Sequence, residues 1–383
     1  MRKWVRRGAL LFLVAGLFLM LALGMFIYGL FRAPSLTVAD GSTVLEAAEQ
    51  IDEWLSSLQK NGKFNGAVLI AQNGQPLLMN AYGFADHRLK TPLTKQSSFR
   101  LASVSKQFTA AGILVLVDQG TVDLDAPVAT YLEEFPFPEV TIRHLLNHTS
   151  GIPDCYMEMA EAHRKSLEEP LKISDVVSLI HDFPPSATAK PNQRFEYSNT
   201  GYVLLAAVIE VVGKRGFEQF MNDELFAPLG MENTRVWNLV SEQSTFSNQA
   251  GEFMQIAGTV TIVEPTWIDG VAGDGAVFSS VEDLLIWDSF WRDNDLLLPE
   301  TMNEAFVKPK LAGGAISDYG FGWLITGTGH WHNGLYLAAN TYISRHVNDG
   351  LCIVVLDNSF NTRAPNIASQ IDEAVVKAAR IKP

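Results

Sequence analysis

Ser103 and Lys106 are three positions apart in LASVSKQFTA, where an apolar segment typical of a buried helix begins. Residues three apart share one helix face, so the lysine amine is expected to contact the serine hydroxyl. A serine at a helix N-terminus also lies beside backbone N–H groups that have no partner within the helix. The pair is therefore a candidate for a nucleophile and its activating base.

The spacing alone is weak evidence, because Ser57 and Lys60 repeat it on a polar helix face where a solvated surface is the simpler interpretation. For Ser103 and Lys106 the alternative is a helix-capping serine followed by a surface lysine. On these ten residues both interpretations stand.

Two later segments favour the catalytic interpretation: FEYSNTGY holds Tyr197 and Asn199, and GHWHNG holds His332 and Gly334 on a predicted strand. With them the chain resembles the β-lactamase and penicillin-binding serine hydrolases, in the class C-like branch that includes D-alanyl-D-alanine carboxypeptidases and esterases. The similarity runs from about Phe64 to the C-terminus. It rests on an ordered set of motifs: RLASVSKQFTA, TIRHLLNHTSGIPD, FEYSNTGYVLLAAVIE, PLGMENT, AGDGAVFSSVEDLLIW, YGFGW and HNG.

The resemblance implies that Ser103 attacks a carbonyl and becomes acylated. Lys106, partly buried near a helix N-terminus, is expected to favour its neutral amine and to share or accept a proton. Tyr197 is expected to act as a general base toward Ser103 and to return the proton to the leaving group. Asn199 is expected to hydrogen-bond either Lys106 or the substrate amide.

The resemblance also implies an oxyanion hole made by the backbone N–H groups of Ser103 and Leu335. Gly334 is expected because a side chain there would block close approach of the substrate. Many relatives carry a lysine where this chain has His332, which offers a hydrogen bond rather than a full charge. We therefore expect a preference for substrates without a carboxylate next to the scissile bond, unless acidic neighbours raise the pKa of His332 or an arginine such as Arg345 takes over.

Other candidate sites are weaker. His144 and His148 have the spacing of two metal ligands on a helix, but no third ligand pattern accompanies them, and we expect neither a metal nor a cofactor. The segment 359–361, Ser-Phe-Asn, imitates a further family element but follows HNG and is interpreted as a turn.

The N-terminus predicts a membrane anchor. The stretch 8–31 is uncharged and long enough to cross a bilayer, and four cations precede it. A cleaved signal peptide is the alternative, but its apolar core would be shorter and FIYGLFRAPS lacks a small-x-small site. Everything after residue 33 is therefore expected outside the cytoplasm, in the periplasm or extracellular space.

The rest of the chain is acidic, since five of the 29 basic residues and none of the 42 acidic residues fall in the first 32 positions. Such a balance repels phosphate backbones and makes nucleic acid an unlikely partner class. Cys155 and Cys352 are the two cysteines; they would be able to pair in an oxidising compartment, but Cys352 lies in the run LCIVVLD and is interpreted as a core thiol.

The elements that must position these residues follow from periodicity. We expect a helix over 43–59, a hairpin turning at 72–75, a helix from near Ser103 to Gly120, strands in 330–345 and 351–358, and a last helix over 364–379. The fold class is α/β, β-lactamase-like, with an antiparallel sheet flanked by helices. Residues 1–33 form the anchor and 34–383 the hydrolase domain, with a helical subdomain at about 120–260.

These features predict a membrane-anchored extracytoplasmic serine hydrolase that forms an acyl-enzyme on a small-molecule or peptide substrate with an amide or ester bond. A catalytically silent scaffold or ligand sensor with the same fold is the alternative. The pattern does not choose among peptidoglycan peptides, β-lactams, D-amino acid peptides and esters, and it leaves the oligomeric state open.

Overall fold

The computed structural model describes residues 32–164, 166–242, 245–256 and 259–380. Within those ranges no helix is both long and apolar enough to cross a bilayer. The predicted anchor over 8–31 lies outside the described residues.

The described helices and strands follow one another in an α/β order. The helices are α1 (Val44–Lys60), α2 (Lys106–Asp118), α3 (Ile142–Leu146), α4 (Tyr156–His163), α5 (Ile173–Asp182), α6 (Asn199–Gly213), α7 (Phe217–Met221), α8 (Ala227–Leu229), α9 (Val281–Phe290), α10 (Pro299–Glu304) and α11 (Ala364–Arg380). The strands are β1 (Gly66–Gln72), β2 (Gln75–Tyr82), β3 (Phe84–Asp86), β4 (Thr91–Pro92), β5 (Phe99–Arg100), β6 (Arg235–Val236), β7 (Phe253–Ile256), β8 (Thr259–Ile262), β9 (Val277–Ser279), β10 (Leu324–Ile325), β11 (His330–Tyr336), β12 (Ala339–His346) and β13 (Leu351–Asp357).

The main sheet is antiparallel, has the strand order β10-β11-β12-β13-β1-β2, and is covered on both faces. In β1, Val68 and Ile70 pack into a core shared with α1 and α11, whereas Ala67, Leu69 and Ala71 face the larger core shared with α2, α6 and α9. This alternation follows from the two-residue repeat of a strand. It also explains why β13 is a continuous apolar run, since both of its faces are buried.

The predicted terminal elements are confirmed. The β1–β2 hairpin turns through Asn73 and Gly74, whose φ values of 50° and 78° fit the Asn-Gly turn. Cys352 is buried in the core, and Cys155 and Cys352 are both free thiols.

The middle of the chain consists of helices separated by loops, and it contains more strand than the periodicity indicated. Strand β6 joins β5 and β9 in a small three-stranded sheet, and β7 and β8 form a separate hairpin. The pairing in the small sheet is short: β5 and β6 each have only two residues. Strands of that length carry no readable alternation, which explains why sequence patterns missed them.

Candidate active site

Ser103 lies in a 3₁₀ turn, Ala102–Ser105, between β5 and α2. The predicted helix start near Ser103 is this 3₁₀ turn, which leads directly into α2 at Lys106. Ala102 has φ of 48°, a left-handed conformation that reverses the chain directly before the serine. The turn is tied to β9, since Val277 accepts a backbone hydrogen bond from Leu101 at 2.8 Å.

Lys106 is fully buried and its amine points at the serine. Its Nζ lies 3.2 Å from Oγ of Ser103, 2.7 Å from Oδ1 of Asn199 and 2.8 Å from the carbonyl oxygen of Asp274. The predicted contact between Ser103 and Lys106 is present. The geometry suits proton exchange between the two side chains.

Asn199, the first residue of α6, faces Lys106 because Asp154 fixes its amide. Oδ2 of Asp154 accepts a hydrogen bond of 2.7 Å from Nδ2 of Asn199, and its Oδ1 accepts one of 3.0 Å from the backbone N–H of Thr200. Of the two partners expected for Asn199, Lys106 is the one that it contacts. Asp154 ends the motif GIPD and was not singled out from the sequence.

Tyr197 lies against the same lysine, with Nζ of Lys106 4.9 Å from the centre of its ring. The other side of the ring packs on His148, at 4.2 Å between ring centres. Nδ1 of His148 accepts a hydrogen bond of 3.1 Å from the backbone N–H of Ser198, so this buried histidine holds the Tyr-Ser-Asn segment in place. Burial, and secondarily the charge of Lys106, holds the pKa of His148 well below its usual value.

His144, which was paired with His148 as a possible metal ligand, has a local structural role. His144 accepts a hydrogen bond of 3.1 Å at Nδ1 from the backbone N–H of Thr141 and completes the capping box at the start of α3. His144 and His148 thus each hold a segment of backbone.

His332 does not offer a hydrogen bond to substrate, contrary to the sequence prediction. Its Nδ1 lies 2.6 Å from the carbonyl oxygen of Asn333, which only accepts, so Nδ1 carries the proton. Nε2 is then the acceptor for the hydroxyl of Tyr319 at 2.9 Å. Burial, and secondarily the positive charge of Lys106, lowers the pKa of His332 to about 3. The imidazole is neutral at pH 7 and both of its nitrogens are occupied.

Arg345 does not supply the missing cation. It is 6% exposed, and its Nε donates to Oδ1 of Asp288 at 2.7 Å while its Nη2 reaches the backbone oxygen of the same residue at 3.2 Å. Arg345 therefore does not provide the positive charge that a lysine at position 332 would have provided.

Gly334 brings β11 against the turn that carries the nucleophile. A Cβ at this position would lie 2.3 Å from the carbonyl oxygen of Leu101 and 2.4 Å from Oγ1 of Thr341. The glycine therefore has a packing reason between two parts of the protein, and the expected reason, room for substrate, stays a prediction. The next residue, Leu335, lines the same cleft as Ser103 and is 64% exposed.

The cleft beside Ser103 contains residues that sequence reasoning did not assign. Beside the predicted Asn199, its lining includes Tyr156, Asp274 and Tyr336. The hydroxyl of Tyr156 donates to Oδ2 of Asp274 at 3.2 Å. Asp274 stands in the motif AGDGAVFSS, which was noted only for its place in the order of motifs.

Two segments that imitate catalytic motifs have other roles: 57–60 lies on the surface and 359–361 forms a turn. Ser57 and Lys60 are exposed on α1. Ser359 and Asn361 donate hydrogen bonds to the side chain of Asp357 at 2.8 Å and 3.1 Å and form a turn after β13.

Comparison with known proteins agrees with this arrangement, since a family model described as Beta-lactamase matches residues 51–376. The chain belongs to the β-lactamase family of serine hydrolases. A penicillin-binding protein of Bacillus subtilis is 33% identical over 340 residues, which are 84% of this chain and 73% of the relative. A D-aminopeptidase of Brucella anthropi is 28% identical over 275 residues, 69% of this chain and 49% of the relative.

Solved structures in this family share the fold. The octameric penicillin-binding protein homologue from Pyrococcus abyssi superimposes with a TM-score of 0.72 at 26% identity, covering 86% of this chain and 77% of that one. The predicted β-lactamase-like α/β fold with its antiparallel sheet is thereby confirmed.

Proposed function

We propose that the protein hydrolyses amide or ester bonds through an acyl-enzyme on Ser103. The observation that carries the proposal is the 3.2 Å separation between Oγ of Ser103 and Nζ of Lys106, at the wall of an open cleft. A serine hydroxyl is a weak nucleophile unless a neighbouring base takes its proton. Lys106 lies beside it, and Tyr197 packs against that lysine.

In the first step, Oγ of Ser103 bonds to the substrate carbonyl carbon while its proton passes to the Lys106–Tyr197 pair. The backbone N–H groups of Ser103 and Leu335 stabilise the oxyanion. The bond to the leaving group then breaks, and Tyr197 returns the proton to the departing nitrogen or oxygen. In the second step, water attacks the ester on Ser103, and the acid product and the free serine are released.

Asn199 and Asp154 keep Lys106 aimed at the nucleophile. With its amide nitrogen held by Asp154, Asn199 presents only its oxygen to Lys106. This hydrogen bond limits Lys106 to the rotamer that reaches Ser103. Asp154 contributes to the rate of acylation by holding Asn199 in the orientation that makes this bond.

The leaving-group side favours substrates without a carboxylate. His332 is neutral and its nitrogens are occupied, and Arg345 is bound to Asp288. A carboxylate placed there would lose its hydration without gaining a cation. Simple esters and amides are therefore the preferred class.

The uncharged stretch over 8–31 supports the further proposal that an uncleaved N-terminal helix anchors the enzyme, with the catalytic domain outside the cytoplasm. N-terminal sequencing of membrane-bound protein should begin at or next to Met1. A mature terminus after residue 33 would overturn the anchor and leave the chemistry untouched.

A substrate panel tests the proposed reaction. The full-length enzyme in detergent is incubated with a p-nitrophenyl ester, a D-alanyl-D-alanine peptide and a chromogenic cephalosporin, each beside Ser103→Ala. Hydrolysis that depends on Ser103, fastest for the ester, supports the proposal. Turnover that survives in Ser103→Ala would contradict it.

A further inference from the structure

The linker that follows the proposed anchor is bound to the last helix, α11. The backbone N–H of Ala33 donates to Oδ1 of Asn366 at 3.0 Å, and that of Leu36 donates to Oε1 of Gln370 at 2.7 Å. Ala33 and Leu36 also pack against the core that α11 shares with α1. The point where the chain enters the catalytic domain is therefore fixed at the first turn of α11.

This attachment sets which end of the domain lies nearest the membrane. Ala33 is the second residue after Phe31, where the proposed anchor ends. Extended chain covers at most about 3.6 Å per residue, so Ala33 lies no more than about 7 Å from the end of the anchor. The first turn of α11 is thus the membrane-proximal end of the domain.

Helix α1 returns the chain to that end. The linker follows α11 as far as Asp40, whose carboxylate pairs with Lys377 at 2.8 Å, and α1 then runs back to Lys60. The carbonyl oxygen of Lys63 accepts a hydrogen bond of 2.9 Å from Nδ2 of Asn361, just before α11 begins. Lys60 and Lys63 therefore lie at the membrane-proximal end.

A basic groove at this end is lined by Lys60, Lys63, Phe360 and Arg363. The chain has 42 acidic residues against 29 basic ones, yet none of the described residues that line the groove is acidic. Lys60 and Lys63 form no salt bridge with a described residue. Phe360 is 45% exposed at the edge of the groove. Cations without a local counter-charge, beside an exposed aromatic ring, suit the anionic headgroups of a lipid surface.

The active-site cleft lies at the same end of the main sheet. Leu335, which lines the cleft, pairs with Asn340, and Asn340 pairs with Asp357 on the next strand. Two strand spacings therefore separate Leu335 from Asp357, which is about 10 Å. The backbone N–H of Phe360 donates to the carbonyl oxygen of Ala338 at 2.9 Å, in the turn between β11 and β12. Contact between the groove and a bilayer would hold the cleft close to the lipid surface.

We propose that the basic groove binds the anionic headgroups of the membrane that holds the anchor, and that this contact sets the orientation of the cleft relative to the lipid surface. The inference rests on the anchor in the proposed function. It assigns a role to Lys60, Lys63 and Arg363, which lie outside the catalytic site.

Lysine reactivity in two membranes tests the proposal. The full-length chain is reconstituted into vesicles of phosphatidylcholine, or of phosphatidylcholine with an equal amount of phosphatidylglycerol, then treated with a membrane-impermeant acetylating reagent and mapped by mass spectrometry. Lys60 and Lys63 should react at least about threefold more slowly in the anionic vesicles. The difference should disappear in about 1 M salt, where the Debye length falls to about 3 Å.

Lys377 is the internal control for that experiment. It is exposed on α11, 14 residues after Arg363 and therefore about 20 Å along the helix from the groove. Its acetylation rate should be the same in the two kinds of vesicle.

Charge reversal gives a second readout, the amide hydrogen exchange of segment 359–363. Exchange in the wild type should be slower in anionic than in phosphatidylcholine vesicles, and Lys60→Glu/Lys63→Glu should abolish the difference. Lys172→Glu/Lys214→Glu is the matched control, because it makes the same change of charge at two exposed positions in the helical part of the chain. The control should keep the wild-type difference.

Flotation with phosphatidylcholine vesicles tests the anchor separately, and neither readout depends on hydrolysis. A chain that floats, but whose Lys60 and Lys63 react equally in the two membranes, would overturn the proposal and leave the anchor standing. Stronger protection of these lysines by soluble polyphosphate than by phosphatidylglycerol would place a soluble polyanion in the groove, and would also overturn it.

Discussion

The hydroxyl of Tyr319 donates a hydrogen bond of 2.9 Å to Nε2 of His332, and the opposite ring nitrogen faces the carbonyl oxygen of Asn333 at 2.6 Å. These two hydrogen bonds fix the tautomer of the His332 imidazole and keep the ring neutral. His332 is thereby a neutral, internally bonded part of strand β11.

Stability should fall with acid through His332. Its pKa is about 3 in the fold against an ordinary value near 6.5, so the unfolded chain binds the proton first as the pH falls through that interval. Between pH 7 and pH 5 this residue should remove about 2 kcal/mol of unfolding free energy, and His332→Gln should lose that much less than wild type. Urea unfolding at the two pH values measures the difference.

His181→Gln serves as the control for that comparison. A hydrogen bond to Asp182 raises the pKa of this exposed histidine, so its contribution has the opposite sign. A pH dependence that is unchanged in His332→Gln would show that His332 does not resist protonation in the fold.

Substrate charge should matter on the leaving-group side. Wild-type kcat/KM for an uncharged p-nitrophenyl ester should exceed that for a chromogenic cephalosporin, and His332→Lys should raise the cephalosporin-to-ester ratio about 10-fold by adding a cation. Tyr319→Phe frees Nε2 without adding charge and should change the ratio by less than about threefold. Efficient cephalosporin turnover by the wild type would contradict the preference.

Gly334→Ala should separate strand β11 from the nucleophile turn. The new Cβ would meet the carbonyl oxygen of Leu101 at 2.3 Å, and relief of such a clash costs about 1 to 3 kcal/mol of stability. We also expect at least about a 100-fold loss of kcat/KM, as for other displacements of an oxyanion hole. Thermal unfolding and ester hydrolysis give the two readouts.

Gly327→Ala is the matched control, because a Cβ there has no heavy atom within 4 Å. It should behave like wild type in both assays. Near-normal activity of Gly334→Ala would mean that β11 tolerates displacement from Leu101.

Lys106→Arg should be nearly as damaging as Lys106→Ala. A guanidinium keeps its proton at any accessible pH and is unable to accept one from Ser103. Both variants should lose about 10³-fold in kcat/KM, or about 4 kcal/mol of transition-state stabilisation. Lys60→Arg, in the exposed Ser-x-x-Lys copy, is the control. High activity in Lys106→Arg would show that a positive charge alone suffices.

Elements with long periodic patterns were predictable from sequence, and their contacts were not. The apolar spacing in α1, β1 and β13 predicted each element, and the Asn-Gly pair predicted the hairpin turn. The left-handed conformation of Ala102 has no sequence signal, because alanine seldom adopts it. It occurs next to the hydrogen bond between Leu101 and Val277, which joins residues far apart in the sequence.

The site was predictable in its residue types and less so in its geometry. Ser103, Lys106 and Asn199 meet as expected. The state of His332 depends on Tyr319, 13 positions away, and on burial that only the assembled fold provides. Asp154 and Asp274 stand in motifs of the ordered set, but a motif does not reveal which way a carboxylate points.

Covalent labelling of Ser103 tests the central claim most directly. Full-length enzyme is treated with a fluorophosphonate probe and analysed by intact mass and peptide mapping, beside Ser103→Ala and Ser57→Ala. We predict one adduct per chain on the peptide that contains Ser103, unchanged in Ser57→Ala and absent in Ser103→Ala. An adduct that persists in Ser103→Ala would place the nucleophile elsewhere and contradict the mechanism.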